Sequence, residues 1–412
     1  MKEQIFSSIE KHADKMREIL DYMWANPQSG FREWKANKLL LDAYKALGYE
    51  PVEAGDIPGF YVDIDTGNPG PRIAIFSELD GLSCPNHPNA DKETGIAHAC
   101  GHHAQCAALY GVAAALKEVD LSSLSGSIRL LVVPAEELGE FDFRQSLKDK
   151  GIIKYFSGKQ EFVRRGYLDG CDIGYMIHTG GKTHKFSVQP GCNGCIVKTA
   201  EFKGKAAHAA GAPWDGINAL DAAYLMINGI NALRQHVKPD TRIHGIIAEG
   251  GMAPNIVPNH SVYKVFCRAA DRDYLNTVTQ KVINCAKGAE LMTGAKMTYR
   301  YYENSFDNLS CNPVLVEAMA QNLTDMGYTN FGKEKKEPSG STDLGNVSRV
   351  VPTCYVSLNV ENTDGSTCHN EAFLAHVNGE LAYKANLTAI KAMAATAIDV
   401  LMNEEIRNAI AK

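Results

Sequence analysis

The chain has 412 residues, enough for one large core, although chains of this length more often divide into two domains. Hydrophobic residues make up 45% of the chain and charged residues 22%, which is ordinary for a soluble globular protein. The formal net charge is −6, so there is no basic surplus to neutralise phosphates, and this argues against a nucleic-acid-binding protein.

Membrane insertion and secretion are not expected. No run of about 18 or more apolar residues occurs, so we predict no transmembrane helix. The N-terminal stretch MKEQIFSSIEKHADKMREIL alternates charged with apolar residues at helical spacing and lacks the uninterrupted apolar core of a signal peptide. Eleven cysteines in such a chain predict reduced thiols and therefore a cytoplasmic protein.

Helices and strands alternate over the first part of the chain. Two amphipathic helices are predicted at 4–23 and 33–47, separated by NPQSGF with its Pro and Gly. Alternation of this kind favours a mainly parallel sheet covered by helices, in which ligands bind beyond the carboxyl ends of the strands. The predicted strands lie in YVDIDTG, RIAIFSELD, SIRLLVVPAEE and IGYMIHTG, and a helix is predicted in QCAALYGVAAALKEV.

The pattern changes near residue 190 and changes back near residue 308. Between these points the segments follow the order strand, helix, two strands, helix, strand, which is typical of a ferredoxin-like α+β unit. A helix, the buried strand TCYVSLNV and a long helical stretch at 374–403 come after it. We therefore predict a mainly parallel α/β domain formed by 1–190 and 307–412, with an α+β domain, 191–306, inserted into it.

The stretch HACGHHAQ places Cys100 and His102 on either side of Gly101. A loop residue and a residue just entering a helix can point at one centre, and the free N–H groups of a helix N-terminus favour a thiolate. A metal site fits this motif, and a helix with incidental histidines and a buried cysteine fits it equally well.

Two adjacent carboxylates, Glu136 and Glu137, end a predicted buried strand. Burying a charge without a partner is costly, and alternation along the strand sends the two side chains to different places. One can bind a metal while the other serves as a general base. A solvated strand end that begins the acidic loop ELGEFDF is the alternative interpretation.

Three further residues lie near predicted strand ends or in a late loop: Asp80, His178 and His369. Asp80 can orient His102 through a hydrogen bond, or it can be a strand-terminal turn residue. Either histidine alone is more often structural than a ligand. Together with the cysteine, histidine and glutamates above, however, they make a ligand set that suits two divalent ions such as Zn²⁺ or Mn²⁺.

Four residues are candidates for contacts with a substrate. His208 lies among small residues in GKAAHAAGAPWDGINAL, where a substrate or another chain can approach closely. Asn255 lies in GGMAPNIVP, where turn chemistry explains it as well. Ser341 and Asp343 lie in SGSTDLGNVSRVVP, which lacks the spacing of a phosphate loop and is either a substrate-facing loop or a simple turn.

The chain resembles the M20 metallopeptidase and amidohydrolase family. The closer match is the branch that holds N-acyl-amino-acid and auxin-conjugate amidohydrolases and the aminobenzoyl-glutamate hydrolases. The stretches that carry the resemblance follow the family's order over nearly the whole chain: NPQSGFREWKA, SELDGL, HACGH, VVPAEELGE, MIHTG, GKAAHAAGAPWDGINAL, GGMAPNIVP, SGSTDLGNVS and CHNEAF. Their order is far more specific than any single motif.

The resemblance implies a catalytic domain with two metal ions and an inserted lid or dimerisation domain, and hence a homodimer. It implies that Glu136 is the general base and that His208 stabilises the oxyanion, reaching into the partner's active site. It implies that Asn255 contacts the substrate. The ligands that it implies, with Cys100 as the bridge, are Cys100, His102, Glu137, His178 and His369.

Two positions depart from the family's pattern. The family usually has Asp or Asn after CGH, where this chain has His103, and many members have a second histidine where this chain has Gln105. Neither residue is an expected ligand, so the metal set is unchanged. The departures concern the residues that surround the ligands and the assignment to a branch.

The main hypothesis is a cytoplasmic, dimeric, divalent-metal amidohydrolase that cleaves the amide of a small N-acyl amino acid or dipeptide-like compound. A second hypothesis keeps the metals but takes another amide, such as an N-carbamoyl group. A third is a ligand-binding relative without activity. The retention of both Glu136 and Glu137 argues against the third.

Overall fold

The computed structural model describes residues 1–180, 186–188, 191–300, 305–329, 331–332, 340–360 and 371–411. The helices within these ranges, in chain order, are α1 (Lys2–Lys11), α2 (Ala13–Ala25), α3 (Trp34–Ala46), α4 (His102–Glu118), α5 (Phe141–Asp149), α6 (Gly158–Arg164), α7 (Ala219–Leu233), α8 (Arg272–Thr293), α9 (Pro313–Asp325), α10 (Leu344–Val347), α11 (Glu371–Val377), α12 (Glu380–Met402) and α13 (Glu404–Ile410).

The longer strands all belong to the two central sheets, which also contain strands of two or three residues. In chain order they are β1 (Val52–Glu53), β2 (Phe60–Asp65), β3 (Arg72–Glu78), β4 (Leu82–Ser83), β5 (Ile96–Ala97), β6 (Ser127–Val133), β7 (Ile173–Gly180), β8 (Phe186–Val188), β9 (Gly191–Cys192), β10 (Gly194–Lys203), β11 (Arg242–Glu249), β12 (His260–Ala269), β13 (Lys296–Arg300), β14 (Ser305–Phe306), β15 (Leu309–Ser310), β16 (Phe331–Gly332) and β17 (Thr353–Asn359).

The chain divides into two compact units. The described residues of the first unit are 1–180, 186–188, 191, 310–329, 331–332, 346–360 and 371–411. Those of the second unit are 192–300, 305–309 and 340–345. Residues 340–345 accompany the second unit because Arg268 of β12 donates a hydrogen bond to Ser341.

The first unit is built on an eight-stranded sheet in the order β1-β2-β6-β3-β7-β17-β8-β16. Strands β6, β3, β7 and β17 run parallel to one another in the middle, which confirms the predicted mainly parallel α/β sheet. Every residue of β6 is buried, and this explains its continuous run of Val, Leu and Ile. The parallel strands bring their carboxyl ends to one edge of the sheet.

Helix α4 lies at the centre of this unit. All of its residues from His102 to Leu116 are buried, and its alanines join α2 and α12 in the main hydrophobic core. Helix α12 is long and apolar enough to pass a composition test for a membrane span, but 67% of its most apolar window is buried inside the protein. It is therefore a core helix of the first unit.

Two predicted helices are interrupted. The helix predicted at 4–23 is two helices, because His12 leaves helical geometry at φ −92° and ψ 8° and its ring binds Glu118 of α4. The stretch predicted at 374–403 breaks at Gly379, which is extended at φ −82° and ψ 167° before α12. In both places tertiary contacts or a backbone change interrupt a sequence pattern that is helical on each side.

The second unit has an antiparallel sheet in the order β11-β12-β10-β13, with β14 also paired to β10. Helices α7 and α8 pack through one apolar cluster against this sheet. The chain order β10, α7, β11, β12, α8, β13 is the ferredoxin-like order predicted from the sequence, and the prediction is confirmed. Strand β11 lies at the edge of the sheet.

Candidate metal centre and active site

The candidate residues of the first unit follow the carboxyl ends of its parallel strands. Strand β3 leads to Asp80, β6 leads to Glu136 and Glu137, and β7 carries His178 near its end. Strand β3 pairs with both β6 and β7, so these ends are neighbours at one edge of the sheet. The sequence pattern of buried strands that end in polar residues therefore brings together side chains from distant parts of the chain.

Gly101 shapes the segment that carries Cys100 and His102. Its φ of 84° is left-handed, and a Cβ there would collide with the Thr179 hydroxyl, so only glycine fits. The Thr179 hydroxyl donates a hydrogen bond to the carbonyl of Cys100. Helix α4 then begins at His102, so the cysteine and the histidine face the strand ends from the two sides of the glycine.

Ligand atoms meet in two groups among the described residues. Cys100, His102 and His178 each offer one atom within 4.8 Å of the others, and so do Glu78, His102 and Glu136. His102 belongs to both groups, so the two lie side by side. A thiol, two imidazoles and two carboxylates in this arrangement are the donors that borderline divalent ions prefer.

Both histidines present the same ring nitrogen to these groups. The Nδ1–H of His102 donates to the carbonyl of Asp80 at 2.8 Å, and that of His178 donates to the carbonyl of Thr179 at 2.6 Å. These bonds leave each Nε2 with a lone pair for a metal, which is the usual arrangement of ligating histidines. Nε2 of His178 lies 3.1 Å from Sγ of Cys100.

The electrostatics around His102 favour a cation. Its Nε2 is buried, lies 3.1 Å from Oε2 of Glu78, and makes no hydrogen bond of good geometry among the described residues. Burial alone would lower the pKa of His102, but the charges of Glu78 and Asp80 raise it well above its usual value. This negative surrounding, together with the donor set, fits a divalent metal ion.

Asp80 holds two parts of the site together. Its Oδ1 lies 3.1 Å from Nδ1 of His102, and its Oδ2 accepts the backbone N–H of Glu137 at 2.8 Å. Burial would raise the pKa of Asp80, but the hydrogen bond and charge of His102 outweigh burial and hold the pKa at about 2. Asp80 thus contacts His102, which is one of the two arrangements that the sequence left open.

Glu136 and Glu137, consecutive residues of the turn after β6, have different surroundings. Glu136 is buried within reach of His102 and Glu78, whereas Glu137 is half-buried and belongs to neither ligand group of the described residues. The assignment of Glu137 as the ligand and of Glu136 as the base stays a prediction. His369, the remaining expected ligand, lies outside the described residues.

A buried ion pair lies directly behind His102. Lys159, at the start of α6, donates to Oε1 of Glu78, and neither side chain is exposed. Gln105 of α4 accepts the backbone N–H of Glu78 and donates to Oε2 of the same residue, both at 3.0 Å. Burial raises the pKa of Glu78, but Lys159 and the histidines lower it below its usual value. One departure from the family's pattern, Gln105, therefore positions a carboxylate that faces His102.

Sequence reasoning overlooked Glu78 and Lys159. Glu78 and Asp80 are two residues apart, and alternation along an extended segment indicates that both point to the same side. The sequence could therefore have identified Glu78 as a residue on the same side of the segment as Asp80. Lys159 lies in a polar helix between two motifs, and only the tertiary structure reveals that its ammonium group is buried.

The other departure, His103, lies away from both ligand groups. Its ring packs 5.0 Å from Trp24 and 5.3 Å from His98, measured between ring centroids. Burial lowers the pKa of both histidines, to about 3 for His98. Because His102 and His103 are consecutive at the start of α4, their side chains diverge. His103 joins neither group of the described residues.

The candidate residues of the second unit lie on loops. His208 and Asn255 are both exposed, and a β-bridge pairs His208 with Ile256. The backbone N–H of Ala209 donates to the carbonyl of Asn255 at 3.0 Å, so the two loops are adjacent. Nδ1 of His208 accepts the backbone N–H of Gly211 at 3.0 Å, which leaves Nε2 directed away from its own loop.

Ser341 and Asp343 also lie in the second unit. Ser341 is half-buried and its hydroxyl accepts a hydrogen bond from Arg268 at 2.9 Å. Asp343 is fully buried. The contact of Ser341 is therefore with a basic side chain, and the side chain of Asp343 has no solvent-exposed surface in this unit.

The family is decided by a match over most of the chain. Residues 60–395 match the family described as Peptidase family M20/M25/M40. The chain belongs to this family. The resemblance seen in the sequence motifs is confirmed, and with it the assignment of this M20 protein as a hydrolase.

Known relatives are similar to this M20 protein along most of its length. It is 28% identical to the Xaa-Arg dipeptidase of Mus musculus over 100% of this chain and 91% of that protein. It is 28% identical to one of the polypeptides of the p-aminobenzoyl-glutamate hydrolase of Escherichia coli (strain K12), over 80% of this chain and 66% of that polypeptide. A crystal structure of the Bacillus subtilis YXEP protein, described as a dinuclear metal binding peptidase from the M20 family, shares the fold with a TM-score of 0.68, at 20% identity over 95% of this chain and 99% of that one.

Proposed function

We propose that this M20 protein hydrolyses the amide bond of small N-acyl amino acids or dipeptide-like compounds with the help of two divalent ions, zinc or manganese. The observation that carries the proposal is the meeting of Cys100, His102 and His178 within 4.8 Å, beside the buried carboxylates of Glu78 and Glu136. The named relatives act on a dipeptide and on an acylated glutamate, which supports this substrate class.

The proposed ligands come from several strand ends and loops. They would provide thiolate, imidazole and carboxylate donors, a set that suits Zn²⁺ or Mn²⁺. When bound, the two ions supply polarisation of the substrate carbonyl and a lowered pKa for water. The proposed set is Cys100, His102, Glu137, His178 and His369.

Glu136 is the proposed general base. Its carboxylate takes a proton from the attacking water while the oxygen of that water bonds to the acyl carbon. The same carboxyl group then gives the proton to the amine nitrogen as the C–N bond breaks, so that a carboxylic acid and an amine leave. Asp80 supports this step by holding the Nδ1–H of His102 and the backbone of Glu137 in place.

Residues of the second unit are proposed to bind the substrate. The imidazole of His208 would stabilise the negative charge that develops on the carbonyl oxygen, and Asn255 would contact the carboxylate or carbonyl region of the substrate. Their exposed side chains and adjacent loops support these roles. Ser341 and Asp343 are proposed to shape the loop that meets the substrate; because Asp343 is buried, it would act by holding that loop.

A homodimer is proposed through the second unit. Strand β11 is the edge of its sheet and exposes Ile246, which retains 65% of its surface, and α7 exposes Tyr224. An unpaired strand edge with apolar side chains is a suitable surface for a second copy of the chain. Ile246→Lys should shift the protein toward monomer in light scattering coupled to gel filtration, and an unchanged dimer would contradict this surface.

A cytoplasmic location is also proposed. The ten cysteines among the described residues are all free thiols, as expected in a reducing compartment. Cell fractionation tests this location, and recovery of the protein outside the cytoplasm would contradict it.

The proposed activity is tested by measuring amine release from a panel of amides. The panel contains N-acetyl amino acids, dipeptides that end in arginine, and p-aminobenzoyl-glutamate. Each is assayed with Mn²⁺ or Zn²⁺ and again after a chelator. Chelator-sensitive release from one group supports the proposal and identifies the substrate class.

Two other outcomes would replace the proposal. Release of ammonia and carbon dioxide from N-carbamoyl amino acids, without release from acyl compounds, would indicate the carbamoyl alternative. Metal bound in stoichiometric amounts with no release from any compound would indicate a binding protein.

A further inference from the structure

The turn that carries Glu136 is held on both sides by hydrogen bonds to its backbone. The N–H of Ala135 donates to Oε1 of Glu33 at 2.8 Å, and the carbonyl of Ala135 accepts the N–H of Gly158 at 3.2 Å. The N–H of Glu137 donates to Asp80 at 2.8 Å, and its carbonyl accepts a hydrogen bond from Arg144 at 2.7 Å. The backbone groups of both neighbours of Glu136 therefore have partners, three from distant segments and one, Arg144, from seven residues further along the chain.

The turn needs such support because its backbone is strained. Ala135 has a φ of 53°, a left-handed conformation that alanine rarely adopts and glycine adopts easily. This conformation follows β6 closely and immediately precedes Glu136 and Glu137. Strained backbone of this kind persists only where the surroundings determine it, and it concentrates at functional sites.

The side chains that hold the turn, Glu33 and Arg144, are ionisable and buried. Glu33 has no exposed surface and Arg144 has 1%, although burial of charged groups is costly. Arg144 also donates to the carbonyl of Phe156 at 2.6 Å, which fixes its guanidinium group between two loops. Gly30 makes room for Arg144 and Ala135, because a Cβ at position 30 would collide with both.

We propose that Glu33 and Arg144 are positioning residues for the active site: they hold Ala135 in its left-handed conformation and thereby direct Glu136 and Glu137 to their places beside His102. Neither residue touches the ligand groups, so both act through the backbone of the turn. The inference rests on the proposed roles of Glu136 and Glu137. It assigns a function to Gly30 and Glu33 of the early motif NPQSGFRE. This motif is distant in sequence from the motifs that supply the proposed ligands.

The first test compares two replacements of Glu33. Glu33→Gln keeps an oxygen that can accept the N–H of Ala135, whereas Glu33→Leu removes it. Burial raises the pKa of Glu33 well above its usual value, so an uncharged amide is a close substitute. Glu33→Leu should lower kcat and the affinity for Mn²⁺ by about 10- to 100-fold, the usual cost of losing a group that positions metal ligands, with KM little changed. Glu33→Gln should recover most of both losses.

Arg144 is tested against a matched buried arginine. Arg129 is also buried and donates to a backbone carbonyl, that of Tyr167, but it lies near the start of β6. Arg144→Met should lower kcat and Mn²⁺ affinity, whereas Arg129→Met should lower only the thermal unfolding temperature. Equal effects of both variants on kcat and metal affinity would overturn the proposal, because they would indicate general destabilisation.

The second test asks whether the hydrogen bond acts through the backbone of Ala135. Ala135→Gly makes the left-handed conformation easy, so it should recover part of the activity and the Mn²⁺ affinity lost in Glu33→Leu. Strictly additive effects of the two changes would overturn the proposal. If the parent protein hydrolyses no amide of the panel, the proposed function fails, whereas the Mn²⁺ affinities of the same variants still decide whether Glu33 and Arg144 position the turn.

Discussion

The candidate residues of the two units differ in their burial and in their contacts. In the first unit, Cys100, His102 and His178 are buried or half-buried at the start of α4 and the end of β7, and their ligand atoms lie within 4.8 Å of one another. In the second unit, His208 and Asn255 are exposed on loops and are held mainly by local backbone contacts. The first arrangement is largely shielded from solvent, whereas the second leaves its side chains accessible to solvent. Substitutions in the two units should therefore have different effects on kcat, metal affinity and stability.

The largest expected effect comes from Glu136→Gln. Loss of the general base should lower kcat by about 100- to 10,000-fold, while metal content stays at the level of the parent protein. Steady-state kinetics and elemental analysis measure the two quantities. Glu140→Gln, an exposed carboxylate of the same loop that pairs with Arg32, is the control and should leave kcat unchanged. Full activity of Glu136→Gln would remove Glu136 from the mechanism.

Lys159→Met tests how strongly the first unit depends on its buried charges. The change leaves Glu78 without its cation in the interior, so the free energy of unfolding should fall by about 3–5 kcal/mol. Chemical denaturation measures this loss. Lys38→Met, which removes an exposed ion pair with Asp42 four residues away, should leave the free energy of unfolding almost unchanged. Equal losses from the two lysines would contradict the importance of the buried pair.

His208→Ala tests the exposed residues of the second unit. Removing a group that stabilises the oxyanion should lower kcat by about 100- to 1,000-fold, whereas stability and metal affinity should be unchanged. This separation of kcat from metal affinity distinguishes it from changes in the first unit. His236→Ala, another exposed histidine of the second unit, is the control. A fall in metal affinity for His208→Ala would contradict the contrast between the units.

The smallest expected effect is that of Glu118→Gln, a substitution outside the candidate sites of both units. Hydrogen bonds from Ser8, Lys11 and His12 lower the pKa of Glu118 to about 2. A lowered pKa stabilises the folded protein above the ordinary pKa of glutamate, and this contribution is lost as the pH falls toward 2. Glu118→Gln should therefore cost a little stability at pH 7 and almost none at pH 2. A difference from the parent protein that is independent of pH would contradict this origin.

Much of the fold was predictable from local patterns. Strands β3, β6 and β7 are runs of buried residues, and their ends are marked by Asp80, Glu136 and His178. The glycine between Cys100 and His102 indicated a loop that turns into a helix, as the structure has it. The break at His12 was not predictable, because apolar residues continue at helical spacing on both sides and the interruption is accompanied by a contact with Glu118 in a distant helix.

The sequence by itself determined which residues end buried strands, and the order of its motifs determined the family. Only the tertiary structure decided what surrounds those residues. Lys159 meets Glu78, and Glu33 meets Ala135, across separations in the chain that no periodic pattern records. Arg144 lies only seven residues from Glu137, but no pattern indicates that its guanidinium group bonds the carbonyl of that residue. The physical reason is that periodicity reports only which face of an element is buried. The partner of a buried charge depends instead on how helices and loops pack over the sheet, and that packing is set by the whole chain.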